Sequence, residues 1–416
     1  AKVTVGAILA SGVRRGHNTV SQERAMNKAC TYASSLTALA PCHVVVEAVF
    51  ESMSVKKEVL ARLCSIVGPS CILCTNTSSL DVEEMAQSLP LVRRSLFLGW
   101  HFFSPAHRMR IVEVILHSST ALSVAATIAQ ISHATRKVPI LCENCPGFVG
   151  NRMIFPYVME SMLLLEDGAT VSEVDAICRR FGLAMGPFEM NDLSGLDIGY
   201  FIRREMGLVG SFEKQRYSSV GDELYKMGRL GIKNFKGFYS YSIGQNKRPF
   251  PDLPASGQDS DVDAAVKVSV QAKILAGVKD GSGVPLCGAK SSTSRESLIL
   301  RRLLLPLINE GFRLLGEGIV VSDRPGDIDV LYVQGYGWPP WRGGPLMYAQ
   351  QIGLKPILEQ LEVLTKAYPT STSFEPAPLL RAMVSKGVSV NDLQADPELM
   401  GSLLAVNGTS EPVSRL

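Results

Sequence analysis

Short apolar runs alternate with segments of helical periodicity through the first third of the chain. Val44-Val45-Val46-Glu47-Ala48-Val49 reads as a buried strand, residues 55–63 as a helix, Cys71-Ile72-Leu73-Cys74-Thr75 as the next strand and residues 81–89 as another helix. Leu96-Phe97-Leu98-Gly99 and Ile111-Val112-Glu113-Val114-Ile115 complete the run. Strand, helix, strand in this rhythm predicts a parallel sheet with helices on its faces over residues 1–145. From Pro146 the period becomes helical. Phe148, Met153, Pro156, Tyr157, Glu160 and Leu164 fall at helical spacings over residues 148–166, with Gly168 as the stop, and residues 171–181 form the next helix.

This helical part contains an internal repeat. Arg152-Met153-Ile154-Phe155-Pro156-Tyr157-Val158-Met159-Glu160 is echoed by Arg302-Leu303-Leu304-Leu305-Pro306-Leu307-Ile308-Asn309-Glu310, and Gly186-Pro187 by Gly344-Pro345. The implied organisation is a first helical domain over residues 146–245, a linker over 246–297, a second copy over 298–395 and a tail over 396–416. The linker expectation rests on Pro, Gly and Ser clusters, as in Ala276-Gly277-Val278-Lys279-Asp280-Gly281-Ser282-Gly283. Two copies in one chain would pack together and bury apolar faces that a single copy leaves open, and the second copy reads as structural.

Composition narrows the function classes. A chain of 416 residues with 46% apolar composition is long enough for two or three domains with real cores. The net charge of +3 and the lack of a basic block argue against nucleic acid. Charge interrupts the longest apolar stretches, as in Leu298-Ile299-Leu300-Arg301-Arg302-Leu303, so no membrane span is expected. No secretory leader is visible, and the Ala1 start suggests a processed chain or a fragment. Nine cysteines, an odd number without framework spacing, suit a reducing compartment. Cys71-Cys74 lies in a strand, where positions i and i+3 face opposite sides, and Cys142-Cys145 runs into the Pro146-Gly147 helix start. Neither reads as a metal site.

The chemistry centres on His101, in Gly99-Trp100-His101-Phe102-Phe103-Ser104-Pro105, and Glu113, in Ile111-Val112-Glu113-Val114. A carboxylate bonded to the far ring nitrogen of a histidine fixes its tautomer and stabilises the imidazolium formed when it takes a proton. Two adjacent strands joined by the short turn at Pro105 would bring these side chains together. Read alone, a histidine beside aromatics at a strand end is more often a satisfied structural residue.

Further motifs change that balance. Glu143-Asn144-Cys145-Pro146-Gly147-Phe148-Val149-Gly150-Asn151-Arg152, the His101 to Glu113 segment, Asn76-Thr77-Ser78-Ser79-Leu80 and Met185-Gly186-Pro187-Phe188 stand in an order and spacing that resembles the 3-hydroxyacyl-CoA dehydrogenases. The likeness covers roughly residues 40–245 and 298–360 and is strongest to the dehydrogenase half of the family's peroxisomal multifunctional members. It implies an α/β fold: an incomplete Rossmann-like parallel-sheet domain followed by two repeated all-helical domains. It also implies NAD as cofactor, an acyl-CoA substrate and oxidation of the 3-hydroxyl to a ketone. On this likeness His101 is the base oriented by Glu113, and Ser78 and Asn151 hydrogen-bond the reacting oxygen. Glu51, Lys56, Ser78, Ser104 and, more remotely, Lys233 face the cofactor. Ser104 stands where single-domain relatives carry Asn. Beside these motifs, Ser414-Arg415-Leu416 reads as a C-terminal address for a peroxisomal import receptor.

One departure is serious. A dinucleotide fold needs G-x-G-x-x-G directly after its first strand, so that pyrophosphate can approach backbone amides at a helix N-terminus. The first fifty residues offer Gly6, Gly12 and Gly16 at unsuitable spacings, and residues 20–32 read as a polar helix where a second strand should stand. The hydratase/isomerase half of the multifunctional members is absent too, so the chain reads as a fragment, a splice variant or a faulty gene model. The competing expectation is a catalytically inactive relative that keeps the acyl-CoA surface but cannot hold NAD.

Overall fold

A computed structural model describes residues 1–205, 207–210, 216–243, 249–252, 259–275 and 292–404. Its first element pair is helical: α1 (Lys2–Arg14) and α2 (Val20–Ala29), the latter started by a reciprocal Thr19–Gln22 capping box. Neither helix buries a residue. The alternating core follows: β1 (Val44–Glu47), α3 (Met53–Cys64), β2 (Ile72–Thr75), α4 (Val82–Gln87), α5 (Leu91–Arg94), β3 (Phe97–Phe102), β4 (Ile111–Leu116), α6 (Leu122–Ala134) and β5 (Val138–Glu143).

The five strands lie in sequence order in one sheet. β1, β2 and β3 are parallel, as the pattern predicts, but β4 runs antiparallel to β3 before β5 pairs parallel to β4. The expectation of an all-parallel sheet is therefore corrected to a mixed one. A parallel crossover needs a dozen residues or more, and the short stretch between Phe102 and Ile111 permits only a reversal. The sequence reading also passed over α6 and β5. Pro139 disguises β5, yet it is tolerated there because β5 lies at the edge of the named strands. Residues 319–321, from the second copy of the repeat, close that edge, Glu143 N–H donating to Ile319 O at 2.8 Å and Val321 N–H to Leu141 O at 3.2 Å. At the opposite edge β1 pairs only with β2 among the described residues, and Val46, Val49 and Phe50 are exposed beside it.

The helical part begins with α7 (Gly150–Glu166), α8 (Val171–Phe181), α9 (Pro187–Ser194), α10 (Leu196–Glu205) and α11 (Val220–Lys226). The expected linker instead carries α12 (Ser260–Leu275), whose Val262 and Ala265 are buried, and the start of α13 (Ser292–Gly316). Residues 276–283, singled out as linker, lie outside the described residues, as do Ser414, Arg415 and Leu416. α14 (Pro325–Gly335), α15 (Pro345–Ile352), α16 (Leu354–Ala367) and α17 (Pro378–Lys386) follow. Among the described residues no helix is long and apolar enough to cross a membrane.

The repeat has a physical basis. Asp175 on α8 accepts the N–H groups of Phe188 and Glu189 at 3.0 Å each, capping α9, and Asp329 on α14 accepts those of Leu346 and Met347 at 2.8 and 3.1 Å, capping α15. The preceding glycines let these carboxylates approach: a Cβ at Gly186 would lie 2.1 Å from Asp175 and one at Gly344 2.3 Å from Asp329. The long helices α7 and α13 pack along each other. Arg302 pairs with Glu160 at 3.0 Å and Arg152 with Glu310 at 2.6 Å, so equivalent residues meet in a reciprocal way.

Candidate functional site

The site forms at the carboxyl ends of β1, β2 and β3, where an α/β sheet ordinarily binds its ligands. The reversal of β4 makes His101 and Glu113 direct cross-strand partners. His101 Nδ1 lies 2.7 Å from Glu113 Oε2, with the carboxylate fully buried and the histidine 7% exposed. The other oxygen, Oε1, accepts Val149 N–H at 3.0 Å and Gly150 N–H at 2.9 Å at the start of α7. A carboxylate bonded on both oxygens in this way cannot turn. It holds the imidazole with Nδ1–H as donor and leaves Nε2 as the acceptor for an incoming proton. Phe103 and Phe148 flank the ring, with centroids 4.9 and 6.2 Å away.

The helix start that receives Glu113 also carries Asn151. Its Nδ2 donates to Ser78 O at 3.0 Å, which ties α7 to the turn after β2. Glu51 in turn accepts the Ser78 N–H at 2.9 Å, the Ser78 hydroxyl at 3.4 Å and the Thr77 hydroxyl at 2.6 Å. Behind it, Lys56 is 1% exposed, far from the solvated helix charge that its type suggests. Its ammonium lies 2.9 Å from Glu47 and 3.2 Å from Glu51. His101, Glu113, Asn151, Ser78, Glu51 and Lys56 thus form one bonded wall. Ser104 is exposed just beyond β3, at the same end of the sheet. Lys233 is not brought to this wall by any of its contacts; it sits on the 3-10 turn Ile232–Asn234 and pairs with Asp197.

Sequence reasoning missed several members. Glu47 is buried beneath Lys56, where it also accepts the Thr75 hydroxyl at 2.8 Å; a charged residue closing an apolar strand was the available signal. Asn76 Oδ1 accepts Phe102 N–H at 2.9 Å and ties the ends of β2 and β3. Tyr332 and Tyr336 come from the second copy of the repeat. Tyr332 donates to Gly150 O at 3.1 Å and Tyr336 to Asn151 Oδ1 at 2.9 Å. The second copy therefore borders the site, which corrects the expectation that it serves packing alone.

Dinucleotide fit is uneven. The wall supplies fixed polar groups of the kind a nicotinamide and its ribose require. The pyrophosphate end does not fit: residues 1–43 hold α1, α2 and the 3-10 turn Leu36–Leu39, with no strand, and the turn at Gly16 before α2 follows a helix and lacks the G-x-G-x-x-G spacing. Among the described residues no group of three or more His, Cys, Asp or Glu is placed to hold a metal ion.

Comparison with known proteins points one way. The 3-hydroxyacyl-CoA dehydrogenase NAD-binding domain matches residues 1–145, and the C-terminal domain of the same enzymes matches residues 147–241 and again 298–392. The human peroxisomal bifunctional enzyme is 39% identical over 85% of this chain and 47% of its own length. A peroxisomal fatty acid beta-oxidation multifunctional protein of Arabidopsis thaliana is 32% identical over 92% of this chain and 49% of its own. The chain spans about half the length of these relatives. Among solved structures, Escherichia coli 3-hydroxybutyryl-CoA dehydrogenase superimposes with a TM-score of 0.71 at 25% identity, over 93% of this chain and 91% of its own. The dehydrogenase part of multifunctional enzyme 1 from C. elegans gives 0.58 at 27% identity, over 90% and 79%.

Proposed function

The chain belongs to the 3-hydroxyacyl-CoA dehydrogenase family, and from that premise we propose that its site interconverts (S)-3-hydroxyacyl-CoA and 3-ketoacyl-CoA in peroxisomal fatty-acid β-oxidation. The observation that carries the reading is the doubly bonded Glu113, one oxygen on His101 Nδ1 and the other on two backbone amides. In the oxidative direction His101 Nε2 takes the substrate hydroxyl proton, and Glu113 stabilises the imidazolium across the 2.7 Å bond. In the reverse direction the imidazolium returns that proton to the ketone oxygen. Asn151 and Ser78 hold this oxygen by hydrogen bonds, which strengthen as negative charge develops on it. Glu51, Lys56 and Ser104 would face a bound NAD, which would supply the hydride-accepting chemistry for the same carbon. Glu51 fixes the Ser78 turn, and the buried Lys56 fixes Glu51. Lys233 belongs to the cofactor set on family likeness alone.

The reciprocal Arg152–Glu310 and Arg302–Glu160 pairs support a pseudo-dimeric monomer, in which the second copy takes the place of a partner subunit. Ser414, Arg415 and Leu416 would direct the chain to the peroxisome through an import receptor.

A second reading has its own observation: α1 and α2 bury nothing, the outer edge of β1 is unpaired among the described residues, and no strand leads into the Gly16 turn before α2. On that reading the chain binds acyl-CoA but not the dinucleotide. Two measurements separate the readings. The chain is mixed with NADH and acetoacetyl-CoA and the mixture assayed for 3-hydroxybutyryl-CoA, while NADH binding is followed by fluorescence. Product with saturable NADH binding supports the dehydrogenase. Acetoacetyl-CoA binding without NADH binding or product favours the second reading.

A further inference from the structure

The second copy of the repeat places a hydroxyl on a site amide whose orientation matters, that of Asn151. Asn151 has two distinguishable ends. Its Nδ2 donates one hydrogen to Ser78 O at 3.0 Å, and its Oδ1 accepts the hydroxyl of Tyr336 at 2.9 Å. Turning the amide over would set its oxygen against the Ser78 carbonyl, an acceptor facing an acceptor, and would force the tyrosine hydroxyl to turn from donor to acceptor. With the carbonyl end held by Tyr336, the second Nδ2 hydrogen stays free on the donor side, where a developing oxyanion needs it.

The tyrosine is itself firmly placed. It follows α14, stacks on the buried Tyr332 at 4.8 Å between ring centroids, and meets Phe103 edge-on at 5.5 Å. Phe103 is the ring that lies 4.9 Å from His101. The approach is so close that a Cβ at Gly150 would fall 2.8 Å from Tyr336 Oη, which leaves glycine as the residue that fits beside it. One tyrosine thus touches both the amide and the aromatic wall of the imidazole, from a segment far along the chain.

We propose that Tyr336 is a positioning residue for the dehydrogenase reaction, acting from the second repeat to fix the Asn151 amide with its N–H groups toward the reacting oxygen. The proposal rests on the dehydrogenase reading above. Loss of the hydroxyl leaves the Ser78 carbonyl alone to hold the amide, so its carbonyl end loosens and the Nδ2 donor is less firmly placed in the transition state, while the acyl-CoA surface is unchanged.

The test is a double-mutant cycle of Tyr336→Phe and Asn151→Ala in the full chain, read by turnover of acetoacetyl-CoA with NADH and, separately, by acetoacetyl-CoA affinity. Tyr336→Phe is expected to lower kcat about 10-fold with KM moved less than 3-fold, and to add nothing further once Asn151 is alanine. Wild-type kcat in Tyr336→Phe, or effects of the two substitutions that multiply, would overturn the proposal while leaving His101-dependent turnover intact. If the wild-type chain binds acetoacetyl-CoA but does not turn it over, the dehydrogenase reading fails by itself. The cycle is then read in affinity, where the same non-additivity supports the placement of Asn151 by Tyr336 and simple multiplication overturns it. A chain that neither binds nor turns over overturns both.

Discussion

Arg302 and Glu160, one from each copy of the repeat, meet in the interior: Nε and Nη2 of the fully buried arginine lie 3.1 and 3.0 Å from one carboxylate oxygen. Their repeat equivalents, Arg152 and Glu310, form the reciprocal pair with side chains 20% and 11% exposed. The two pairs share a topology but differ in desolvation, so their removal should differ in cost. Glu160 also holds the buried Arg216. Glu160→Gln is expected to cost up to about 3–5 kcal/mol, because two buried guanidiniums lose their buried carboxylate and keep only the partly exposed Asp167. Glu310→Gln should cost about 1 kcal/mol or less, since Arg152 keeps Glu317 and water. Urea midpoints of the two variants check the ranking, and equal costs would contradict it.

Glu113 is the other junction where substitution is informative. Both of its oxygens act as acceptors, one for the imidazole and one for the Val149 and Gly150 amides. A glutamine has a single carbonyl oxygen, so it must present NH₂ either to Nδ1–H or to the two backbone donors. Glu113→Gln should therefore lower kcat by a factor on the order of 10²–10⁴, through the wrong tautomer and the loss of imidazolium stabilisation. Steady-state turnover beside the thermal midpoint checks this. A variant with wild-type kcat would remove Glu113 from the chemistry.

The helix-capping aspartates predict a pH dependence of stability. Burial pushes Asp329 up to about 7 and Asp175 likewise to about 7, against an ordinary carboxylate value of 3.8, although the backbone N–H bonds pull the other way. A raised value in the folded state means that folding takes up a proton between roughly pH 4 and 7. That contribution to stability is complete below the unfolded value and is lost as pH rises through the folded one. Asp329→Asn removes one such proton, so the gap between wild type and variant should be widest at about pH 4 and below, shrink through pH 5 and 6, and close toward pH 8. Its slope should be at most about 1.4 kcal/mol per pH unit. Thermal midpoints across this range check the sign, and a gap that widens with pH would refute it.

Much of this architecture can be read from local pattern. The strands at 44, 72, 97 and 111 follow from apolar runs, and the helix over residues 171–181 matches α8 (Val171–Phe181). The His101–Glu113 pair was legible because a short reversal aligns strand residues with a period of two. What was not legible depends on distant segments. The burial of Lys56 comes from Glu47 and Glu51 closing on it, and a lysine on a helix carries no mark of that. Tyr336 sits in a segment whose local sequence says only that a helix ends, and its role comes from packing against Gly150 and Phe103. α12 escaped notice among flanking Pro, Gly and Ser clusters, because turn residues nearby say little about the helix between them.

The buried lysine gives a further prediction. Lys56→Met fills the same space but leaves the buried Glu47 with no counter-charge, and Glu51 with no cation beneath it. The expected result is a loss of about 3–5 kcal/mol in stability. Changing Glu47→Gln and Lys56→Met together should recover part of that loss. Thermal midpoints of the single and double variants decide whether the lysine acts through Glu47, and a double variant less stable than Lys56→Met would say that it does not.

The central claim is that His101, held by Glu113, transfers the proton of a 3-hydroxyacyl-CoA dehydrogenase reaction. It is tested most directly by NADH consumption with acetoacetyl-CoA in the wild-type chain and in His101→Ala, side by side. Turnover in the wild type that falls by a factor on the order of 10²–10⁴ in the variant, with the fold retained, is the predicted result. A folded wild-type chain that binds acetoacetyl-CoA without consuming NADH, or a His101→Ala variant as fast as the wild type, would contradict it.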